Sequence, residues 1–109
     1  MQCFVDLRSR MARQTAPGVH LRTMWGEKLQ LAAVDLDASA VVPLHSHPSE
    51  QGGMVLAGQP EFTIAGETRV LAPGDTYIIP GGVEHGVKAG PAAVRLLEVF
   101  APVREEYKF

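Results

Sequence analysis

The chain has 109 residues, of which 46% are hydrophobic and 20% charged, a composition typical of one folded globular domain rather than a disordered chain. Ten lysines and arginines against twelve aspartates and glutamates give a formal net charge of −2, which argues against nucleic acid as a partner. No apolar run approaches the about 20 residues that a membrane-spanning helix needs, so no membrane partner is expected.

The amino-terminal residues carry no clear targeting or catalytic signal. They lack the apolar core of a signal peptide, and we interpret Arg8, Arg10 and Arg13 as a solvated face. Cys3 is the single cysteine, which excludes an internal disulfide, favours a reducing cytoplasm and, with no histidine nearby, makes a poor nucleophile. We expect residues 1–20 to be a flexible or dimer-forming segment of a single domain, residues 1–109.

The rest of the chain alternates short apolar runs with turns that contain glycine and proline, the pattern of many short strands. Within it, TIAGETRV predicts a tight hairpin at Ala65-Gly66-Glu67. Seven or more strands without a convincing helix predict an all-β sandwich or small barrel. The runs are KLQLAAVDL, VVPLHSH, GMVLAG, EFTIA, TRVLA, TYIIP and VRLLEVFA.

The stretch HSHPSEQ, residues 45–51, concentrates potential metal ligands. Alternate residues of a strand face the same way, so His45 and His47 point together. If the strand resumes after the Pro48-Ser49 kink, Gln51 shares their side and Glu50 faces away.

A second cluster, GDTYIIPGGVEHG at residues 74–86, places His85 at the start of another strand. A lone histidine is more often a surface residue than a ligand. Imidazoles that converge from separate strands, however, are a common way to hold a transition metal. The two clusters together therefore favour a metal site.

These clusters resemble the two motifs of the cupin superfamily, G-x5-H-x-H-x3,4-E-x6-G and G-x5-P-x-G-x2-H-x3-N, over residues 39–89. Matching positions are His45, His47, Gly58, Gly74, Pro80, Gly82 and His85. The chain departs from the motifs at Ser39, Gln51 and Ala89, which stand where the family has Gly, Glu and Asn. His20 matches no motif position and is expected on the solvent side.

The resemblance implies a conical jelly-roll barrel, a double-stranded β-helix, with one divalent transition metal inside. It implies His45, His47, Gln51 and His85 as the metal ligands, and Zn, Ni, Fe, Mn and Co all suit that set. A neutral glutamine leaves the metal charge uncompensated, which strengthens the Lewis acid, attracts anions and differs from the carboxylate-bearing iron sites that activate dioxygen. Glu50 is expected outside the ligand set.

The carboxy-terminal run LLEVFAPVREEYKF holds a glutamate within an apolar stretch. By alternation Glu98 shares a face with Leu96 and Phe100. That face is either outward, with Glu98 solvated, or inward, beside the metal. In the second case Glu98 is a candidate general acid or base, and Arg104 a candidate clamp for a substrate carboxylate.

A narrower resemblance joins PLHSHPSEQ, PGDTYIIPGGVEHGV and EVFAPVREEY to small cupins of pectin and alginate degradation. Members linearise 4,5-unsaturated uronates, use glutamine as the fourth ligand and carry D-x-F-x3-R in the last strand. Phe100 and Arg104 match that pattern, and Glu98 replaces the aspartate with a longer side chain.

The resemblance implies a lyase or isomerase acting on a small anionic sugar acid, with Glu98 and Arg104 catalytic and Phe100 and Arg104 binding substrate. The alternatives are a non-catalytic sugar-binding cupin and an iron-dependent dioxygenase. Exposed edges of an open barrel favour a homodimer. Trp25 and Tyr77 are expected to pack in the core or at the rim.

Overall fold

The computed structural model describes residues 2–109. Short 3₁₀ helices lie at Leu7–Ser9 and Glu105–Tyr107, and no helix of the described chain is long and apolar enough to cross a membrane. The strands are β1 (Arg13–Ala16), β2 (Val19–Trp25), β3 (Gln30–Leu36), β4 (Val41–His45), β5 (Glu50–Ala57), β6 (Glu61–Ile64), β7 (Glu67–Val70), β8 (Thr76–Ile79), β9 (His85–Lys88) and β10 (Val94–Ala101).

The strands form two antiparallel sheets whose inner faces enclose the core. One sheet has six strands in the order β1-β2-β3-β10-β5-β8, and the other has four in the order β4-β9-β6-β7. This arrangement confirms the all-β jelly-roll prediction, and each of the seven apolar runs overlaps a strand. The predicted hairpin is also confirmed, with Ala65 and Gly66 at positive φ between β6 and β7, the geometry of a two-residue turn.

Two strands form where no strand was predicted. β1 lies within residues 1–20, the segment expected to be flexible or dimer-forming, and β2 begins in that segment at Val19. Along β2, Val19, Leu21 and Thr23 are buried while the intervening residues are half-buried. The polar His20 and Arg22 at those intervening positions interrupt the apolar run, which masks the period-two pattern of a strand in the sequence.

Strict alternation in the central strands determines what lies inside. β3 and β10 bury every second residue, including Val34, Leu36, Leu96 and Phe100. Each fully buried aliphatic or aromatic side chain contributes about 1.5–3 kcal/mol. Because the same alternation carries Glu98 to the inner face of β10, the packing that stabilises the sheet also places a carboxylate in the interior.

Gly58 follows β5 at a position where neighbouring atoms leave no space for a side chain. Its φ is +87°, and a Cβ would collide with the Ala93 carbonyl oxygen. Glycine alone tolerates both conditions, which gives a physical reason for the motif glycine at this position.

Candidate metal centre

Three histidines converge at the ends of strands in the barrel interior. His45 ends β4 and pairs in register with His85, which begins β9, while His47 lies in the connection from β4 to β5. One ring nitrogen from each lies within 4.8 Å of those of the other two. This spacing suits a single ion bound by all three imidazoles.

Backbone hydrogen bonds fix which nitrogen of each ring is free. In every case Nδ1 lies 2.8 to 2.9 Å from a carbonyl oxygen two residues away. A carbonyl only accepts, so each Nδ1 carries the proton and each Nε2 offers a lone pair. The accepting carbonyls belong to Pro43, Ser49 and Val83 for His45, His47 and His85, respectively.

The environment of His85 and His47 favours the neutral imidazole that a metal requires. Burial lowers the pKa of both rings, and Arg104 contributes to the lowering. His85 Nε2 is buried and has no hydrogen-bond partner in the described chain. An unpaired buried nitrogen is costly, and a cation at this point would remove the cost, so the residues present fit a divalent metal.

Gln51 adds a fourth lone pair to the cluster. It is buried on β5, whereas the adjacent Glu50 is exposed. Its Oε1 lies 3.0 Å from His47 Nε2, and both atoms are acceptors in the tautomer described above. The two lone pairs therefore face each other, and no hydrogen bond can form between two acceptors. A cation bound by both atoms would stabilise this arrangement.

Glu98 faces inward beside Gln51, which excludes the outward alternative. The carboxylate is 8% exposed, and its Oε2 accepts hydrogen bonds from Gln51 Nε2 and from Tyr77 Oη, the latter at 2.8 Å. Burial raises the pKa of Glu98, although the two hydrogen bonds and the Arg104 charge act in the opposite direction. A carboxyl group with a raised pKa suits proton transfer near neutral pH.

A cavity of about 260 Å³ adjoins these groups. Its polar lining includes His45, Gln51, His85, Glu98 and Arg104. Most of the remaining wall is aliphatic or aromatic, with Phe100 beside the polar groups. A concave, largely apolar pocket with a few convergent polar groups is typical of a small-molecule site.

Arg104 is held at this cavity by stacking and by an ion pair. Its guanidinium carbon lies 4.0 Å from the Tyr107 ring centroid and 5.1 Å from that of Phe100, and Nε donates to Glu106 at 2.8 Å. No described residue accepts a hydrogen bond from its terminal Nη atoms, which leaves them available to a ligand carboxylate.

Two buried polar residues anchor the segment that carries Arg104. Gln30 Oε1 accepts from the Arg104 backbone N–H at 3.0 Å, and Gln30 Nε2 donates to the Tyr107 carbonyl at 3.1 Å. Thr23 Oγ1 donates to the same Tyr107 carbonyl at 2.6 Å. These bonds tie residues 104–107 to β2 and β3.

Three residues of the site, Tyr77, Gln30 and Thr23, belong to no motif that the sequence displays. Tyr77 was expected to pack only, yet it is hydrogen-bonded to Glu98. The available signal was a polar group on an inward strand position, because such groups need a partner when buried. His20 lies apart from the cluster, with Nε2 3.3 Å from Asp37 Oδ2, and Trp25 lies at the exposed end of β2.

Comparison with known proteins agrees with this architecture. The Cupin domain family model matches residues 32–100, so the chain belongs to the cupin family. The KdgF structure from Halomonas sp. superposes with a TM-score of 0.89 at 27% identity, covering 97% of this chain and 98% of that one.

Two named relatives are also similar in sequence. The pectin degradation protein KdgF of Dickeya dadantii is 31% identical over 84 residues, 76% of each chain. The dimethylsulfoniopropionate lyase DddQ of Ruegeria pomeroyi is 35% identical over 63 residues, which are 57% of this chain and 31% of that longer protein.

Proposed function

We propose that this cupin is a metal-dependent lyase or isomerase that opens the ring of a 4,5-unsaturated uronate. The observation that carries the proposal is the convergence of three unprotonated Nε2 atoms and one amide oxygen beside a buried carboxylate. His45, His47, His85 and Gln51 would hold one divalent ion. That ion, when bound, supplies Lewis acidity toward oxygen atoms of a substrate.

The remaining groups can bind an anion and move a proton. Arg104 would pair its free Nη atoms with the substrate carboxylate, and the buried Phe100 would form the apolar wall beside it. Glu98 would transfer a proton as general acid or base, a role that suits a buried carboxyl group whose pKa is raised by burial.

The reaction balances without an oxidant. The anomeric hydroxyl loses a proton as the bond between the anomeric carbon and the ring oxygen breaks, and the released ring oxygen gains one, which leaves an aldehyde and an enol. Protonation of the neighbouring alkene carbon, with loss of the enol hydroxyl proton, then converts the enol to a ketone, so that the whole reaction is an isomerisation. Glu98 is the group in this cavity suited to carry that proton. The named function of the Dickeya relative in pectin degradation supports this substrate class.

The test is the loss of ultraviolet absorbance of a 4,5-unsaturated uronate monosaccharide after addition of the purified, metal-loaded protein. We expect loss that a chelator prevents and that Glu98→Gln and Arg104→Ala each reduce at least a hundredfold. A folded, metal-loaded protein without activity would contradict the proposed substrate. Oxygen uptake with the iron-loaded protein would instead support the dioxygenase alternative, and binding without turnover the sugar-binding alternative.

The apolar cavity wall favours a second candidate, a lyase acting on a small carboxylate that carries no hydroxyl groups. Sugar hydroxyls would find few partners among the aliphatic lining residues, and buried polar groups without partners are costly. The similarity to a dimethylsulfoniopropionate lyase points to the same class. Incubation with dimethylsulfoniopropionate, run beside the uronate assay, separates the two candidates.

We further propose a homodimer formed by the outer face of β5, β8 and β10. Met54, Ile78 and Val99 are exposed there. A self-complementary apolar face is the common basis of twofold dimers.

A further inference from the structure

Tyr77, Gly53 and Glu98 occupy one row across the six-stranded sheet. Gly53 on β5 is the register partner of Tyr77 on β8 and of Glu98 on β10. A Cβ at position 53 would collide with the Tyr77 ring and hydroxyl. The Tyr77 side chain therefore crosses the backbone of Gly53 and donates to Glu98 Oε2 at 2.8 Å.

The same carboxylate oxygen decides how the Gln51 amide is oriented. An amide has a donor end and an acceptor end. Because Gln51 Nε2 donates to Glu98 Oε2, Gln51 Oε1 is directed toward His47 Nε2. If the Glu98 acceptor moved, the amide could rotate and present its NH₂ group, which cannot bind a cation.

This contact also accounts for glutamine at a position where the cupin motif has glutamate. A carboxylate at position 51 would have no proton to donate and would face the buried Glu98 carboxylate directly. Two like charges so close in the interior are unfavourable. A glutamine both offers an oxygen to the histidine cluster and satisfies Glu98.

We propose that Tyr77 is a positioning residue of the metal centre: its hydroxyl fixes Glu98, and Glu98 holds the Gln51 amide with the oxygen toward the three histidines. The inference rests on the proposed function in one respect, that Gln51 and the three histidines bind a divalent ion. Tyr77 itself touches neither the ion nor the substrate. Its hydroxyl is a dependable donor, because burial and the Glu98 charge raise the Tyr77 pKa.

The first measurement is a Co²⁺ titration of the metal-free protein, followed by visible absorption. We expect Tyr77→Phe to weaken Co²⁺ binding about tenfold, the lower end for a residue that supports a metal ligand, and to shift the absorption bands because the fourth ligand is less ordered. Tyr107→Phe is the matched control, because no described residue hydrogen-bonds to the Tyr107 hydroxyl. Its Co²⁺ affinity and spectrum should equal those of the wild type.

A double-mutant cycle tests whether Tyr77 acts through Glu98. In a Glu98→Ala background the acceptor is absent, so Tyr77→Phe should change Co²⁺ affinity less than twofold. An undiminished tenfold loss in that background would overturn the proposal, because Tyr77 would then act by another route.

A metal-free readout separates this inference from the metal site itself. The two side-chain amide protons of Gln51 should give widely separated NMR signals in the apo protein, and Tyr77→Phe should reduce that separation. A wild type that binds no Co²⁺ overturns the proposed metal site, while the Gln51 signals still decide the positioning role. Unchanged Gln51 signals in Tyr77→Phe would overturn that role.

Discussion

Ser39 is a non-glycine residue in a left-handed backbone conformation. Its φ is +65°, and its N–H donates to the Gly90 carbonyl at 2.7 Å. The first cupin motif has glycine at this position, and a side chain in this region costs about 1–2 kcal/mol. The bond to Gly90 fixes the turn between β3 and β4 in spite of that strain.

We therefore predict that Ser39→Gly increases the free energy of unfolding by up to about 1 kcal/mol, since relief of strain exceeds the added flexibility of the unfolded chain. Urea denaturation would measure it. Ala38→Gly is the control, because Ala38 lies in the same turn without positive φ, and it should lose about 0.4–1 kcal/mol. Equal changes in both variants would contradict a specific strain at Ser39.

Glu98 gives the protein a pH dependence of stability. Its pKa is raised by burial in the folded state, so between the ordinary value of 4.5 and the raised value the native state binds more protons than the unfolded state. Stability contributed by this group is therefore present below pH 4.5 and is lost as pH rises through the folded pKa.

Chelator-treated wild type and Glu98→Gln should differ accordingly. As pH rises from about 4.5 to 8, the free energy of unfolding of the wild type is expected to fall relative to that of the variant. The histidine contributions are common to both proteins and cancel in that difference. Chemical denaturation across this range would measure it, and a pH-independent difference would show that Glu98 does not titrate there.

At the scale of elements, residues 104–107 are positioned by side chains from two other strands. Gln30 both donates to and accepts from this segment, and Thr23 adds a further bond. The Arg104 guanidinium is consequently held over the Tyr107 and Phe100 rings, although its segment follows the last strand of the barrel.

Gln30→Leu should preserve the packing volume but remove those bonds, each about 1 kcal/mol. We expect faster hydrogen exchange at the Arg104 amide and, in the uronate assay, a KM raised about tenfold with kcat nearly unchanged. Gln59→Leu, an exposed position, is the control and should alter neither. An unchanged exchange rate in Gln30→Leu would exclude the anchoring role.

The extent to which sequence predicts these elements depends on how local the signal is. β10 was predicted over residues 94–101, as observed, because only Arg95 and Glu98 interrupt its apolar run. The histidine cluster was predicted because two short motifs specify it. Tyr77 and Gln30 escaped prediction because their contacts depend on cross-strand register, which places residues 21 and 74 positions apart in hydrogen-bond contact. β2 escaped because charged and polar outward residues interrupt it.

For the whole molecule, the outer face of the six-stranded sheet is the proposed dimer interface. Ile78 is 65% exposed on the edge strand β8, next to β5, which carries Met54, and β5 in turn adjoins β10, which carries Val99. Light scattering should report a particle of twice the 11.8 kDa chain mass at micromolar concentration, and Ile78→Lys should shift it to the monomer. The control Val70→Lys, exposed on the other sheet, should remain dimeric. A monomeric wild type would contradict the dimer proposal.

The four proposed ligands are not drawn from a single layer. His45 and His85 belong to the four-stranded sheet, Gln51 to the six-stranded sheet, and His47 to the connection between them. An ion held by all four would therefore cross-link the two halves of the sandwich, and ligation would be linked thermodynamically to folding. At a free metal concentration one hundred times Kd, binding would raise the free energy of unfolding by about 2.7 kcal/mol. Chelation should consequently lower the Tm and allow the two sheets to separate before either sheet unfolds. The ion would then have a structural role as well as its role as a Lewis acid.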